Sequence, residues 1–258
     1  MRADAFIRAN RRPCSYVTSR RLTMQPLRRS GLDQLLGQSS APPSLATTAS
    51  KFGGMPFSQM NISKSSLFVG QVNFATLPLP IPNAPNEGIL ELYVDVAEPG
   101  GAPTGFRLRW HATAADLESS AWRAAPQSYG NYEAEMVMKS GFTLPVGEAW
   151  KAAIAFYGDD ELNSEWMKFA PAGYNDDQFR GDCHRIFGHR AAGLKHATGF
   201  AGEQGLGDRA QNYEMIMRLT QDREADFSWG GKHVYIMIDP DDLARSRMER
   251  AVVVGSTQ

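Results

Sequence analysis

The pattern of apolar and polar positions changes character several times along the chain. Leu67-Phe-Val-Gly-Gln-Val-Asn-Phe74 is short and rich in β-formers, and Gly88-Ile-Leu-Glu-Leu-Tyr-Val-Asp-Val96 is almost continuously apolar. Both predict strands, the second a buried one. Phe106-Arg-Leu-Arg-Trp110 alternates strictly, with Phe106, Leu108 and Trp110 on one face and two arginines on the other. That predicts a half-solvated strand of an antiparallel sheet. Tyr132-Glu-Ala-Glu-Met-Val-Met138 repeats the alternation. Pro78, Pro80, Pro82 and Pro85 lack the amide donor, so they mark a loop rather than a central strand. Glu148 to Tyr157 is built of helix formers and stops at Gly158, and a second helix is predicted from Glu161 to Phe169, before Pro171. Residues 170–211 show no period and are rich in glycine. Regular pattern returns with strands at Tyr213–Leu219 and His233–Ile238, and Asp239-Pro240 opens a helix predicted to run to about Met248.

These elements predict an α+β fold: antiparallel or mixed sheets from two diverged strand-pair halves, a few helices between them and a C-terminal helix. The halves, about 50–110 and 184–250, look alike. In the first, Phe52-Gly53 leads to a strand, a loop, Gly88 and an apolar strand closing on Asp95. In the second, Phe187-Gly188 leads to a strand, a loop, Gly231 and an apolar strand closing on Asp239. Two glycine-hinged ribbons of this kind are expected to bury their apolar faces against each other.

The same segments carry a resemblance. Ser50-Lys-Phe-Gly-Gly-Met-Pro56, the Gln71-Val-Asn73 strand and the Gly88-led strand are similar to the opening of the YwqG-like proteins, a bacterial family of unknown function. His184-Arg-Ile-Phe-Gly188 resembles its second glycine turn, and Phe227-Ser-Trp229-Gly230 with the strand to Ile238 resembles its closing unit. The likeness covers about residues 50–250. It implies a structural role for Gly53, Gly54, Pro56, Gln71, Asn73, Gly88, Gly188, Trp229 and Gly230. Glu91 stands where glutamine is usual and Gly231 where an aspartate is usual. No catalytic residues come with the resemblance.

Charge divides the chain unevenly. Residues 1–49 hold eight arginines against Asp4 and Asp33, a net +6, and the whole chain is −1, so residues 50–258 carry −7. The stretch from Gln38 to Ser50 is Ser/Ala/Thr/Pro-rich, and residues 1–49 are expected to be a basic, largely disordered leader. Three readings of it stay open: an upstream extension with Met24 as the true start, a disordered basic arm, or an acid-poor transit peptide. Leu27, Leu32, Leu35 and Leu36 would share one face of a short helix. The near-neutral total gives no basic footprint for nucleic acid. No apolar run is long enough to span a bilayer as a helix, and Cys14 and Cys183 are too few for a disulfide framework. A cytoplasmic globular protein is expected.

Candidate chemistry is thin. Cys183-His184, His189 and His196 are the one metal-like grouping, but their spacing matches no zinc pattern and Arg185, Arg190 and Lys195 interleave, so no metal is assigned. Gly199, Gly202, Gly205 and Gly207 lack a phosphate-loop signature, so no cofactor is assigned. The carboxylate groups at 159–161, 176–177 and 239–242 sit at loop or helix starts, where capping is expected. Asp182, Cys183, His184, His189 and Trp229 are the residues proposed to contact a ligand or partner. Without a nucleophile–base set, the expected function is a non-enzymatic binding or interaction module, toxin-neutralising or regulatory, drawing a basic protein partner to its acidic body. The alternative is a small-ligand binder or enzyme with a cleft between the halves near Asp182, Cys183 and His184.

Overall fold

Ten strands join in one sheet, in the order β10-β9-β8-β7-β1-β6-β2-β3-β4-β5, with every neighbouring pair antiparallel. They are β1 Arg12–Arg21, β2 Lys51–Phe52, β3 Ser66–Asn73, β4 Ile89–Val96, β5 Pro103–His111, β6 Ala134–Thr143, β7 His184–Phe187, β8 Glu214–Leu219, β9 His233–Ile238 and β10 Val252–Ser256. Among the described residues four α-helices accompany them: α1 Ala3–Asn10, α2 Glu148–Tyr157, α3 Asp159–Met167 and α4 Pro240–Ala244. This computed structural model describes residues 2–22, 45–58, 66–97, 103–113, 128–145, 148–168, 183–189, 212–230 and 233–256.

The fold is α+β, with the sheet curled into a nearly closed barrel. Apolar residues of β3 and β4, such as Val69, Val72, Leu90 and Leu92, share one core cluster with Met217, Leu219, Val234 and Ile236 of β8 and β9. Phe106 on β5 meets Trp229 before β9, at 5.7 Å between ring centroids. Packing is tight: Phe52, Val69, Leu92, Met217, Leu219 and Ile236 surround a cavity of only about 10 Å³, barely one water's worth and lined by apolar groups.

Two expectations need correction. Residues 3–21 do not form a disordered leader. They form α1 and β1, and β1 lies at the centre of the sheet between β6 and β7. Cys14, Ser15, Tyr16 and Val17 are buried there. Arg12, Arg20 and Arg21 at its ends pair with Glu214, Glu135 and Glu224, so the chain's basic start answers part of its own acidic body. α1 is held as well: Ala3 and Ile7 pack with Ala153 of α2 and Leu162 of α3. The helix expected over 27–36 lies outside the described residues.

The second correction concerns the two halves. They are not separate units laid on each other, because the strands interlock. Exchange β1–β5 for β6–β10 and the strand order reads the same in reverse. Each five-strand set, a repeat of the strand pattern, has its first strand beside the other set's second strand: β1 on β7 and β6 on β2. The registers agree residue by residue. Tyr16 pairs with Arg185 as Glu135 pairs with Lys51, and the relation carries the β1–β6 ladder onto itself about the pair Thr18 and Val137. Irregularities recur too, between Phe68 and Gly70 in β3 and between Met215 and Met217 in β8. The same relation shifts the turn equivalence by one residue. Gly53 (φ 61°) and Gly54 (φ 73°) match Phe187 (φ 58°) and Gly188 (φ 92°), so Phe52 corresponds to Ile186 rather than to Phe187.

Candidate functional site

In a strand, successive side chains leave opposite faces. That separates Cys183 and Arg185 from His184 along β7. His184 is 2 % exposed and lies inward, 4.7 Å from the Phe52 ring. Its Nδ1 accepts from the Thr220 amide at 3.1 Å, so its Nε2 carries the proton donated to Asp222 Oδ2 at 2.8 Å. Both ring nitrogens are spent, which removes His184 as a base or a metal ligand. Asp222 also accepts from the Ala225 amide at 2.7 Å. Burial pushes its carboxyl up, but the hydrogen bonds from His184 and Ala225 outweigh that and hold it below the ordinary range.

Of the other proposed contacts, Trp229 comes near it through Thr220 and Phe227, whereas His189 is held elsewhere. His189 Nε2 donates to the Asn10 carbonyl at 2.6 Å, tying the loop after β7 to α1. Trp229 is 3 % exposed, donates from Nε1 to the Thr220 carbonyl at 2.9 Å and stacks on Tyr129. Asp182 and His196 lie outside the described residues, as do the glycines of 199–207, Gly231 and the 176–177 carboxylates. Among the described residues no three His, Cys, Asp or Glu side chains are grouped to hold a metal ion. Cys14 and Cys183 form no disulfide and share a small buried cluster with Tyr16. Burial pushes Cys14 up to about 12 and Cys183 upward as well, so both stay protonated and unreactive at neutral pH.

Across the sheet's outer face each repeat presents a row of paired residues. The first row runs Arg20, Glu135, Lys51, Gln71, Glu91, Arg109. Its three cations, Arg20, Lys51 and Arg109, are matched by Glu135, Glu91 and the adjacent Glu133, and the row is tied to the 46–58 segment. Lys51, fully buried, lies 3.6 Å from Glu133. Burial lowers its ammonium and Glu133 opposes that. Gln71 accepts from the Phe57 amide at 2.8 Å and donates to the Ala49 carbonyl at 2.9 Å, while Asn73 donates to the Thr48 carbonyl at 2.9 Å. Those bonds are what the Gln-x-Asn motif does. Glu91, fully buried, accepts from the Ser58 amide and hydroxyl at 2.6 Å each, from Tyr93 at 3.2 Å, and meets His111 Nε2 at 3.1 Å. Burial raises this carboxyl, yet His111 and Ser58 together bring it below the ordinary value. Serine and histidine both point at the carboxylate rather than at each other, and Ser58 is fully buried. The group is an anchor for the loop and not a nucleophile–base pair.

The second row occupies the equivalent positions and reads Lys139, Tyr16, Arg185, Arg218, Tyr235, Val254. It holds three cations and no acid. Cys14, Tyr16 and Tyr235 stand where the first repeat has Glu133, Glu135 and Glu91. Arg185 and Arg218 are direct cross-strand partners, and Arg218 is 4 % exposed. Arg218 donates to the Cys183 carbonyl at 3.0 Å, and Arg185 to the His189 carbonyl at 2.6 Å. The Nε of each is buried with no hydrogen-bond partner, and no ion pair joins either to a described carboxylate. Burial, then the neighbouring Arg218, lowers the Arg185 guanidinium from its ordinary value. In the sequence Arg185 figured only as a charge opposing a metal, and Arg218 was missed. Its available signal was a charge inside an apolar strand, Glu-Met-Ile-Met-Arg-Leu219.

Residues 50–255 match the model of a family described as a domain of unknown function, DUF1963. The match starts after β1, which the barrel nevertheless contains. No curated protein matches the chain.

Proposed function

The chain belongs to the DUF1963 family, a premise that fixes no chemistry, and we propose that it is a non-enzymatic binding module. One observation carries this. Among the described residues, the buried Glu91, His184, Asp222, Cys14 and Cys183 are committed to internal hydrogen bonds or held protonated by burial. Catalysis needs a positioned group with a free lone pair or an exchangeable proton facing substrate. None of these five offers one. Regulation in response to a ligand fits better than capture of a basic toxin, because three glutamates already meet the arginines of β1. The finer likeness to the YwqG-like proteins belongs to the same reading. So does an internal duplication, supported by the matching registers of the two repeats, and a reducing, cytoplasmic setting, supported by two unbridged buried thiols.

The test is a turnover screen of the purified chain with chromogenic ester, phosphoester and peptide substrates, alongside His184→Gln and Cys183→Ser. No turnover attributable to the chain is expected. Turnover that disappears in either variant contradicts the reading.

A further inference from the structure

We propose that Arg185 and Arg218 form a binding site for a small oxyanion, the phosphate or carboxylate group of a low-molecular-weight ligand. The inference rests on the binding-module reading and supplies its ligand class. Each guanidinium carries five N–H donors in a planar fork. Here the two arginines are direct cross-strand partners on β7 and β8, near enough for Arg218 to lower the Arg185 guanidinium, and like charges directly opposite repel. Their acceptors include two backbone carbonyls and the sulfurs of Met215 and Cys183. The buried Nε of each has no acceptor.

A buried cation persists when something neutralises it. In the first repeat that something is a carboxylate: Glu133 faces Lys51, and Glu135 and Glu91 flank the row. In the second repeat the corresponding positions hold Cys14, Tyr16 and Tyr235, and both cysteines are protonated. The fold therefore leaves a place for a negative charge that the described residues do not supply. An oxyanion accepts several hydrogen bonds at once and matches the arginine fork in shape. The ligand group is small because Arg218 is almost wholly enclosed. Arg185 keeps partial exposure, which gives the route in.

The experiment is a set of thermal melts of the full chain at fixed ionic strength, in chloride, inorganic phosphate and acetate. Phosphate or acetate is expected to raise the melting temperature saturably, by about 3 °C or more at a hundredfold excess over Kd for a chain of this size. Which of the two acts distinguishes the phosphate ligand from the carboxylate one. Arg218→Met is expected to abolish the shift while melting in chloride at or above the unsubstituted chain. Should Arg218→Met fail to fold, Arg218→Lys decides: it keeps the charge but loses the fork, and its half-saturating anion concentration is expected to rise about tenfold. Equal melts in all three salts, or a shift that survives both substitutions, overturns the site. Either result leaves the absence of turnover untouched, so the two readings fail separately.

Discussion

Asp222 and His184 show how a residue pair that looks reactive in sequence becomes structural once its partners are known. Both carboxylates with lowered values, Asp222 and Glu91, contribute stability above the ordinary carboxylate range near pH 4. That contribution is lost as pH falls through their lower folded values, because the unfolded chain then binds more protons. Acid unfolding below about pH 4 is expected, steeper than for Asp222→Asn in the same titration followed by circular dichroism. At neutral pH, Asp222→Asn should cost roughly 1–3 kcal/mol in urea unfolding, because it weakens the bonds to His184 and the Ala225 amide. An unchanged midpoint would show that the pair is not an anchor. At this scale the sequence was legible where a residue acts through its backbone neighbours, as Asp239 does by capping Asp241. It was misleading where residues adjacent in sequence leave a strand on opposite faces, as Cys183 and His184 do.

Among the elements, those with a strong period were readable: β3, β4, β5, β8, β9, α2 and α3 lie close to where alternation and helix formers put them. β1 was not, because arginines at both ends outweigh a buried tetrad that contains one large aromatic, Tyr16. β7 spans only four residues, and β10 follows a helix predicted to run further than α4 does. The place of β1 makes a sharp expectation. A chain that starts at Met24 lacks the strand that pairs with Arg12–Arg21's ten partners on β6 and joins β7 to the rest. Such a chain should lose cooperative thermal unfolding. A truncated chain with a sharp transition and a native-like spectrum would remove β1 from the barrel. The turn after β7 can be checked by Gly188→Ala. Its φ is 92°, and an added Cβ would lie 2.5 Å from Thr143 Oγ1 and 3.0 Å from Cys14 Cβ. A loss of about 1–3 kcal/mol is expected, and none would mean that the turn has room to rearrange.

For the whole molecule, the informative feature is how the two repeats differ on a shared frame. The interlocked strands make one core, so the repeats cannot come apart into two lobes with a ligand cleft between them. Their inner faces are alike and apolar. Their outer rows have parted: one is neutralised by its own glutamates, the other carries buried arginines. That contrast was invisible in the sequence, since it depends on cross-strand pairing between segments 84 and 169 residues apart, Lys51 with Glu135 and Tyr16 with Arg185.

It can be measured by substituting equivalent positions, Lys51→Met and Arg185→Met, and comparing urea unfolding in chloride without other anions. Lys51→Met strands Glu133 in the interior and should cost roughly 3–5 kcal/mol. Arg185→Met removes an unneutralised charge and should stay within about 1 kcal/mol of the parent, or exceed it. A comparable loss from both substitutions would mean that the second row is already balanced, and the claim that the two rows differ in charge balance would be wrong.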